Sequence, residues 1–172
     1  PLQSGCDSTL RRMARKTTRD SFRRLILAAR KIVPEAAITT DLIAGFPGET
    51  EAEFAESLAF VKEMNFAGGH VFTYSPRPGT PAAEMKEQVP ASVKKKRSEM
   101  LRLLGSEKNL TFRKKILETV MNVVVEAKSD ASKDMLTGLT DNYIRVFIDG
   151  ADDEQIGRVI PVRITKVDSK ST

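Results

Sequence analysis

Read as a pattern of apolar and polar positions, the chain first follows a helical period. Phe22, Leu25, Ile26, Ala29 and Val33 recur three and four residues apart behind Thr18, whose hydroxyl suits an N-cap, and Pro34 ends the run. Ahead of it, Asp7 is placed to cap a short turn through Leu10 and Met13. The β-branched stretch Ala37 to Ile43 predicts a strand, and the apolar end Leu42-Ile43-Ala44 suits burial on both faces of a parallel sheet. Glu51 to Met64 returns to helical spacing with Phe54, Leu58 and Val61 on one side; Asn65 to Gly69 breaks it, and His70 to Tyr74 is the next strand. Strand, helix, strand in that order predicts a right-handed parallel pair, too small by itself to make a domain. Beyond Pro90 a long basic helix is predicted from Ala91 to about Leu117, with Val93, Met100, Leu101, Leu104 and Phe112 as its apolar side.

From Thr119 the period shortens to two. Val120 to Glu126, Met135 to Leu139, Tyr143 to Ile148 and Gly157 to Val167 read as strands, with turns signalled at Lys128-Ser129-Asp130, Thr140-Asp141-Asn142 and Asp149-Gly150. Ile144, Val146 and Ile148 share one face; Ile160, Val162 and Ile164 share another. Short, turn-linked strands of this kind predict a small barrel of the OB type rather than an open sheet. The change of pattern divides the chain into an α/β part, residues 1–111, and an all-β part, residues 112–168.

Two loops are candidates for chemistry. Gly45-Phe46-Pro47-Gly48-Glu49-Thr50 joins the first strand to its helix, with Thr50 and Glu53 spaced as a capping box. A glycine corner at a strand's carboxyl end makes a natural ledge for a ligand, because first-turn amides are free there. Glu49, Glu51 and Glu53 would repel a phosphate, and neither a Walker loop nor G-x-G-x-x-G is present. A plain corner and a binding ledge both fit. Ser75-Pro76-Arg77-Pro78-Gly79-Thr80-Pro81 follows the second strand and stiffens Arg77 between two prolines, which suits a carboxylate or phosphate ligand as well as a simple turn.

Charge adds a partner class. Residues 1–34 carry nine Lys/Arg against two Asp and residues 90–117 nine against two Glu, while 35–89 has three against nine acids and 118–172 seven against ten. The basic segments are either solvated helix faces, as for Lys94-Lys95-Lys96-Arg97, or a surface for a polyanion such as RNA. One cysteine, Cys6, offers no disulfide or metal framework, and the only histidine, His70, lies inside a strand as a core or rim residue. No apolar run suits a bilayer and no leader is visible, which predicts a soluble, cytoplasmic protein. Pro1 in place of a starting methionine reads as the middle of a longer protein. No catalytic constellation is legible, so the catalytic residues are unknown.

Pro1-Leu2-Gln3-Ser4-Gly5, Thr40-Asp41-Leu42-Ile43-Ala44-Gly45-Phe46-Pro47-Gly48-Glu49-Thr50 and Tyr74-Ser75-Pro76-Arg77-Pro78-Gly79-Thr80-Pro81-Ala82 resemble, in order and spacing, the later part of the radical S-adenosylmethionine tRNA methylthiotransferases. The segment from about Phe112 to Val167 is similar to their closing TRAM barrel. Leu139-Thr140-Asp141-Asn142-Tyr143-Ile144-Arg145-Val146 looks most like the branch that methylthiolates N6-threonylcarbamoyladenosine. The resemblance implies part of a radical SAM partial (β/α) barrel followed by an OB-like TRAM barrel.

By that resemblance the cofactors are S-adenosylmethionine and [4Fe-4S] clusters. The cluster cysteines, C-x-x-x-C-x-x-C among them, are absent here, so no residue of this chain is a metal ligand and the fragment alone is expected to be inactive. Cys6 stands where the family usually shows a small residue such as Ser. The resemblance assigns Gln3 and Ser4 to the cofactor's polar end, Asp41 and Ile43 to ribose and adenine, and Tyr74, Ser75 and Arg77 to the neighbouring strand's lining. The implied partner is a tRNA anticodon stem-loop, held in a salt-sensitive way, with Tyr143, Arg145, Arg163 and Lys166 as RNA contacts. A free-standing RNA-binding module with a scaffold α/β part, or another branch acting on isopentenyladenosine tRNA or a ribosomal protein, is the alternative. A truncated sheet is also expected to self-associate through its bare edge and apolar face.

Overall fold

A computed structural model of the chain describes residues 1–128, 135–150 and 152–167. The chain divides into two compact units, one spanning Pro1–Asn109 and the other beginning at Leu110. Among the described residues no helix is long and apolar enough to cross a membrane.

The first unit contains α1 (Asp7–Arg12), α2 (Arg19–Ile32), β1 (Thr39–Ala44), α3 (Glu51–Met64), β2 (Gly68–Thr73), α4 (Pro81–Glu84) and the start of α5 (Ala91–Lys114). β1 and β2 are parallel, Thr39 opposite Gly68 through Ala44 opposite Thr73, and Gln3 bridges in parallel to Leu42 at the other edge of β1. Local signals set the helix ends. The Thr50–Glu53 capping box opens α3 and Asn65, in the left-handed region, closes it. Thr18 caps α2 by accepting from the Ser21 N–H. Asp7 does not cap its own helix, whose N-cap is Cys6; its carboxylate instead accepts the Arg19 N–H at 2.7 Å, at the start of α2.

The core gathers Leu2, Ile26, Leu42, Ala44, Phe54, Phe60, Val61, Met64, Phe66, Leu101 and Leu104. Thr40, Leu42 and Ala44 are buried, whereas Asp41 and Ile43 are only half-buried and His70 and Phe72 are exposed. β1 is therefore covered on one face, not on both as its apolar end suggested, and His70 lies exposed on the open face, the rim rather than the core alternative. On α2 only Ile26 is buried, and Leu25, Leu27, Ile32 and Val33 are exposed.

The free edge of β2 is closed by side chains of α5. Lys94 Nζ donates to the Tyr74 carbonyl (3.2 Å), Arg102 Nη2 to that of Val71 (3.1 Å) and Asn109 Nδ2 to that of Ala67 (2.8 Å). The Ser98 and Thr73 hydroxyls meet at 2.7 Å. Those carbonyls on the β2 edge already have donors and are not free to pair with another strand; nothing further in the structure supports the expected self-association. The charge alternation is likewise satisfied largely inside the unit. Arg12 pairs with Glu53, Arg19 with Glu56 and Arg23 with Glu63, joining the basic first segment to the acidic α3.

The second unit is an antiparallel sheet of β3 (Val120–Lys128), β4 (Met135–Thr140), β5 (Arg145–Asp149) and β6 (Val159–Arg163), in the order β5-β4-β3-β6, with a 3-10 turn at Asp153–Gln155. Its core is Ile116, Val123, Val125, Leu136, Ile144, Val146, Ile148 and Ile164. A bulge between Val125 and Ala127 curls the sheet into a half-barrel. This curled half-barrel is consistent with the expected OB-like barrel; among the described residues β5 and β6 are its edges and do not pair with each other. Of the expected turns, Gly150 has φ +67°, and Thr140 to Tyr143 is hydrogen-bonded end to end; Ser129 and Asp130 lie outside the described residues.

Candidate functional site

Parallel pairing brings the carboxyl ends of three segments to one end of the sheet. The Gln3 N–H donates to the Asp41 carbonyl (2.9 Å), and the Ile43 N–H donates to the Gln3 carbonyl (2.8 Å). Gln3 itself is buried at φ +70°, a conformation worth about 1 kcal/mol or more of strain, which these two bonds hold in place. Three residues singled out from the sequence, Gln3, Asp41 and Ile43, are thus tied through the backbone. Asp41 faces His70 across the pair, with Oδ1 3.3 Å from Nδ1, and Ile43 is opposite Phe72. This open face offers a carboxylate flanked by apolar groups. Ser4 is buried, and its hydroxyl accepts the Cys6 N–H (3.2 Å), so it shapes the exit of the segment.

The glycine corner uses its amides internally. The Gly45 N–H donates to Glu49 Oε2 (2.9 Å), Gly48 to the Glu87 carbonyl (2.7 Å), Glu49 to the Phe46 carbonyl (3.0 Å) and Thr50 to Glu53 Oε2 (2.9 Å). An external anion has no place among those donors, because the Glu49 carboxylate already fills it. Both glycines have φ +75°, and a Cβ at Gly45 would lie 2.2 Å from Lys94 Cγ. Glu49 is buried. Arg97 Nη1 donates to its carbonyl (2.8 Å) and Oε2 (2.9 Å), while Nη2 reaches Glu51 (3.1 Å). Burial pushes the Glu49 carboxyl above its usual range against the pull of the Gly45 N–H and Arg97.

The Lys94-Lys95-Lys96-Arg97 run is therefore not a solvated turn: Arg97 is buried, Lys94 lies on Gly45 and the Tyr74 ring, and only Lys95 and Lys96 are exposed. Sequence reasoning missed Arg97, although it stands four residues from both Val93 and Leu101 on the core-facing stripe.

The second loop adjoins the first. The Tyr74 N–H donates to the Ala44 carbonyl (2.9 Å), and its ring meets Phe46 edge-on with centroids 5.3 Å apart. Its hydroxyl is enclosed with no hydrogen-bond partner among the described residues. A buried, unpaired hydroxyl is unfavourable until a polar group meets it. Ser75 and Arg77 are exposed, and the Arg77 carbonyl is held by the Thr80 N–H and hydroxyl.

An adenosyl group fits this donor set: a carboxylate for ribose hydroxyls, apolar Ile43 and Phe72 for a base, and an unpaired phenol for a further polar atom. An iron–sulfur cluster does not fit. Cys6 is buried, bonded to Glu56 and pushed up in pKa by burial, and among the described residues no group of three or more His, Cys, Asp or Glu is arranged for a metal.

In the second unit Tyr143 is exposed at φ +62°. Arg145 pairs with Glu126 (2.9 Å), and Arg163 donates to the Glu118 carbonyl (3.2 Å). Lys166 is exposed. Phe147, absent from the sequence-derived set, is half-exposed on the same face of β5 as Arg145; the period-two alternation of that strand carried the signal.

Residues 117–172 match the family described as the TRAM domain. The chain is 40% identical over 168 residues, 96% of its own length, to the threonylcarbamoyladenosine tRNA methylthiotransferase of Bacillus subtilis, covering 37% of that protein. It is also 40% identical over 164 residues, 95% of its length, to the tRNA-2-methylthio-N(6)-dimethylallyladenosine synthase of the same organism, covering 32%. The synthase of the same name from Symbiobacterium thermophilum is 40% identical over 168 residues, 96% of this chain and 35% of that protein. The chain spans about a third of the length of these curated relatives.

Proposed function

We propose, from the premise that this chain belongs to the tRNA methylthiotransferase family, that it supplies one wall of an adenosyl-binding site and an RNA-holding domain. The complete enzyme would add a methylthio group to a modified adenosine next to the anticodon of tRNA, in the cytoplasm. The observation that carries the reading is the backbone tie of Gln3 to Asp41 and Ile43, with Tyr74 bonded to Ala44 at the end of the same strand. Asp41 would accept the ribose hydroxyls, Ile43 would lie against the adenine, and Gln3 with the loop Tyr74-Ser75-Arg77 would hold the polar end of S-adenosylmethionine. Ser4 would set the turn behind Gln3. This wall would form part of a radical SAM partial (β/α) barrel.

When bound, S-adenosylmethionine supplies the radical source and the methyl donor, together with [4Fe-4S] clusters whose ligands are not in this sequence. This chain binds and orients, and alone would not carry out the reaction. Its second unit would contact the anticodon stem-loop at its unpaired loop, with Tyr143, Arg145, Arg163 and Lys166 around the contact. The substrate branch rests on the segment Leu139 to Val146, which favours threonylcarbamoyladenosine, while equal identity to dimethylallyladenosine enzymes keeps that base as the second reading.

Deleting the gene and measuring tRNA nucleosides by mass spectrometry tests this. Loss of methylthio-threonylcarbamoyladenosine is expected, loss of the isopentenyl counterpart moves the assignment to the other branch, and loss of neither refutes the activity.

A further inference from the structure

We infer that Tyr143 and Phe147 form a stacking platform for unpaired RNA bases, so that the second unit grips single-stranded nucleotides by their faces rather than a stem by its phosphates. This rests on reading that unit as RNA-holding and adds the chemistry of the grip.

The turn before β5 is built to project Tyr143. Thr140 is buried; its hydroxyl accepts the Ile144 N–H (2.9 Å) and lies 2.6 Å from Asn142 Oδ1, and its carbonyl accepts the Tyr143 N–H (3.0 Å). Held this way, a bulky residue occupies the left-handed region at φ +62°, which glycine or asparagine adopts with less strain. Tyr143 is 84% exposed, and among the described residues its ring and hydroxyl have no partner.

Phe147 continues the outward chemistry along β5, past Arg145. Across the sheet the register Arg145, Leu139, Val124, Val159 places a row on that same face, with Val124 and Val159 exposed. An exposed apolar sheet face with aromatic rings and a guanidinium at its edge is complementary to splayed-out bases, whose π-faces stack on aromatic side chains and whose phosphates lie at the rim.

Charge argues against a phosphate-led grip. Arg145 is paired with Glu126 and Lys128 with Asp153, which leaves Arg158, Arg163 and Lys166 as the exposed cations from residue 118 on without a carboxylate partner among the described residues. Residues 118–172 carry seven basic side chains against ten acidic ones. Counterion release on this unit is therefore small, and affinity falls only gently with salt.

The test is fluorescence anisotropy of the 172-residue chain with an end-labelled single-stranded RNA of about 8 nucleotides and with a blunt RNA duplex, at about 50 and about 200 mM salt. The single strand binds and the duplex does not, with a log–log salt slope no steeper than about −1.5. Tyr143→Leu and Phe147→Ala each weaken binding about 5- to 100-fold, whereas Tyr143→Phe retains it. With no tryptophan and two tyrosines in the chain, Tyr74→Phe leaves Tyr143 as the sole emitter, and stacking quenches it.

Tyr143→Gly, which relieves the left-handed strain, melts no lower than the wild type and still loses binding; retained binding in that variant overturns the inference. RNA binding that is steep in salt and indifferent to Tyr143→Leu overturns stacking while leaving the RNA-holding reading intact. Absence of binding to either RNA removes that reading and the inference with it. A concentration-dependent dimer abolished by Tyr143→Leu assigns the face to a second copy and also overturns the inference.

Discussion

Replacing Arg97 with Met removes the cation that sits behind the glycine corner. Its side chain is 6% exposed, and the guanidinium donates to the Glu49 carbonyl, to Glu49 Oε2 and to Glu51. Met fills much of the volume of the side-chain stem, so the principal loss is electrostatic. Glu49, 2% exposed at its side chain, keeps the Gly45 N–H as a donor but loses its ion partner. Breaking a buried pair in this way costs about 3–5 kcal/mol, a large part of the roughly 5–15 kcal/mol that holds a domain folded.

The loss depends on pH with a defined sign. Burial already raises the Glu49 pKa in the folded state, and removing Arg97 raises it further. A group whose folded pKa exceeds its unfolded value favours folding most at low pH, and that contribution is lost as pH rises through the folded pKa. The deficit of Arg97→Met relative to wild type is therefore smaller at about pH 5 than at about pH 8. Urea unfolding followed by circular dichroism measures it, and Glu49→Leu added to Arg97→Met recovers most of the loss by removing the stranded charge. A deficit below about 1 kcal/mol, or one equal at both pH values, would refute the role given to this pair.

Two further outcomes follow from the geometry. Arg12 holds the Glu53 carboxyl below its usual range, so Glu53 adds stability above its unfolded pKa and loses it as pH falls through the lower folded value. In an acid titration of unfolding, Glu53→Gln flattens that limb by about 1 kcal/mol, and an unchanged limb refutes the coupling. Lys94→Ala with Arg102→Ala removes two donors from the β2 edge and raises the sedimentation-detected oligomer fraction, while a chain that stays monomeric would show that these side chains do not protect the edge.

Much of the fold follows from signals that act over a few residues. The Thr50–Glu53 box and Asn65 bound α3 at the predicted Glu51 and Met64, and the period-two stretches after Thr119 lie where β3 to β6 form. Strand-helix-strand order also determined the parallel pair of β1 and β2. Tertiary structure alone decided which face of that sheet is covered, because a two-residue period cannot say what packs against it.

It also decided that Glu49 and Arg97, 48 residues apart, are buried together, that the basic first segment is answered by α3, and that among the described residues β5 and β6 are edges. Each of these depends on groups distant in sequence meeting in a medium of low dielectric, where a charge that reads locally as solvated becomes costly unless a partner arrives.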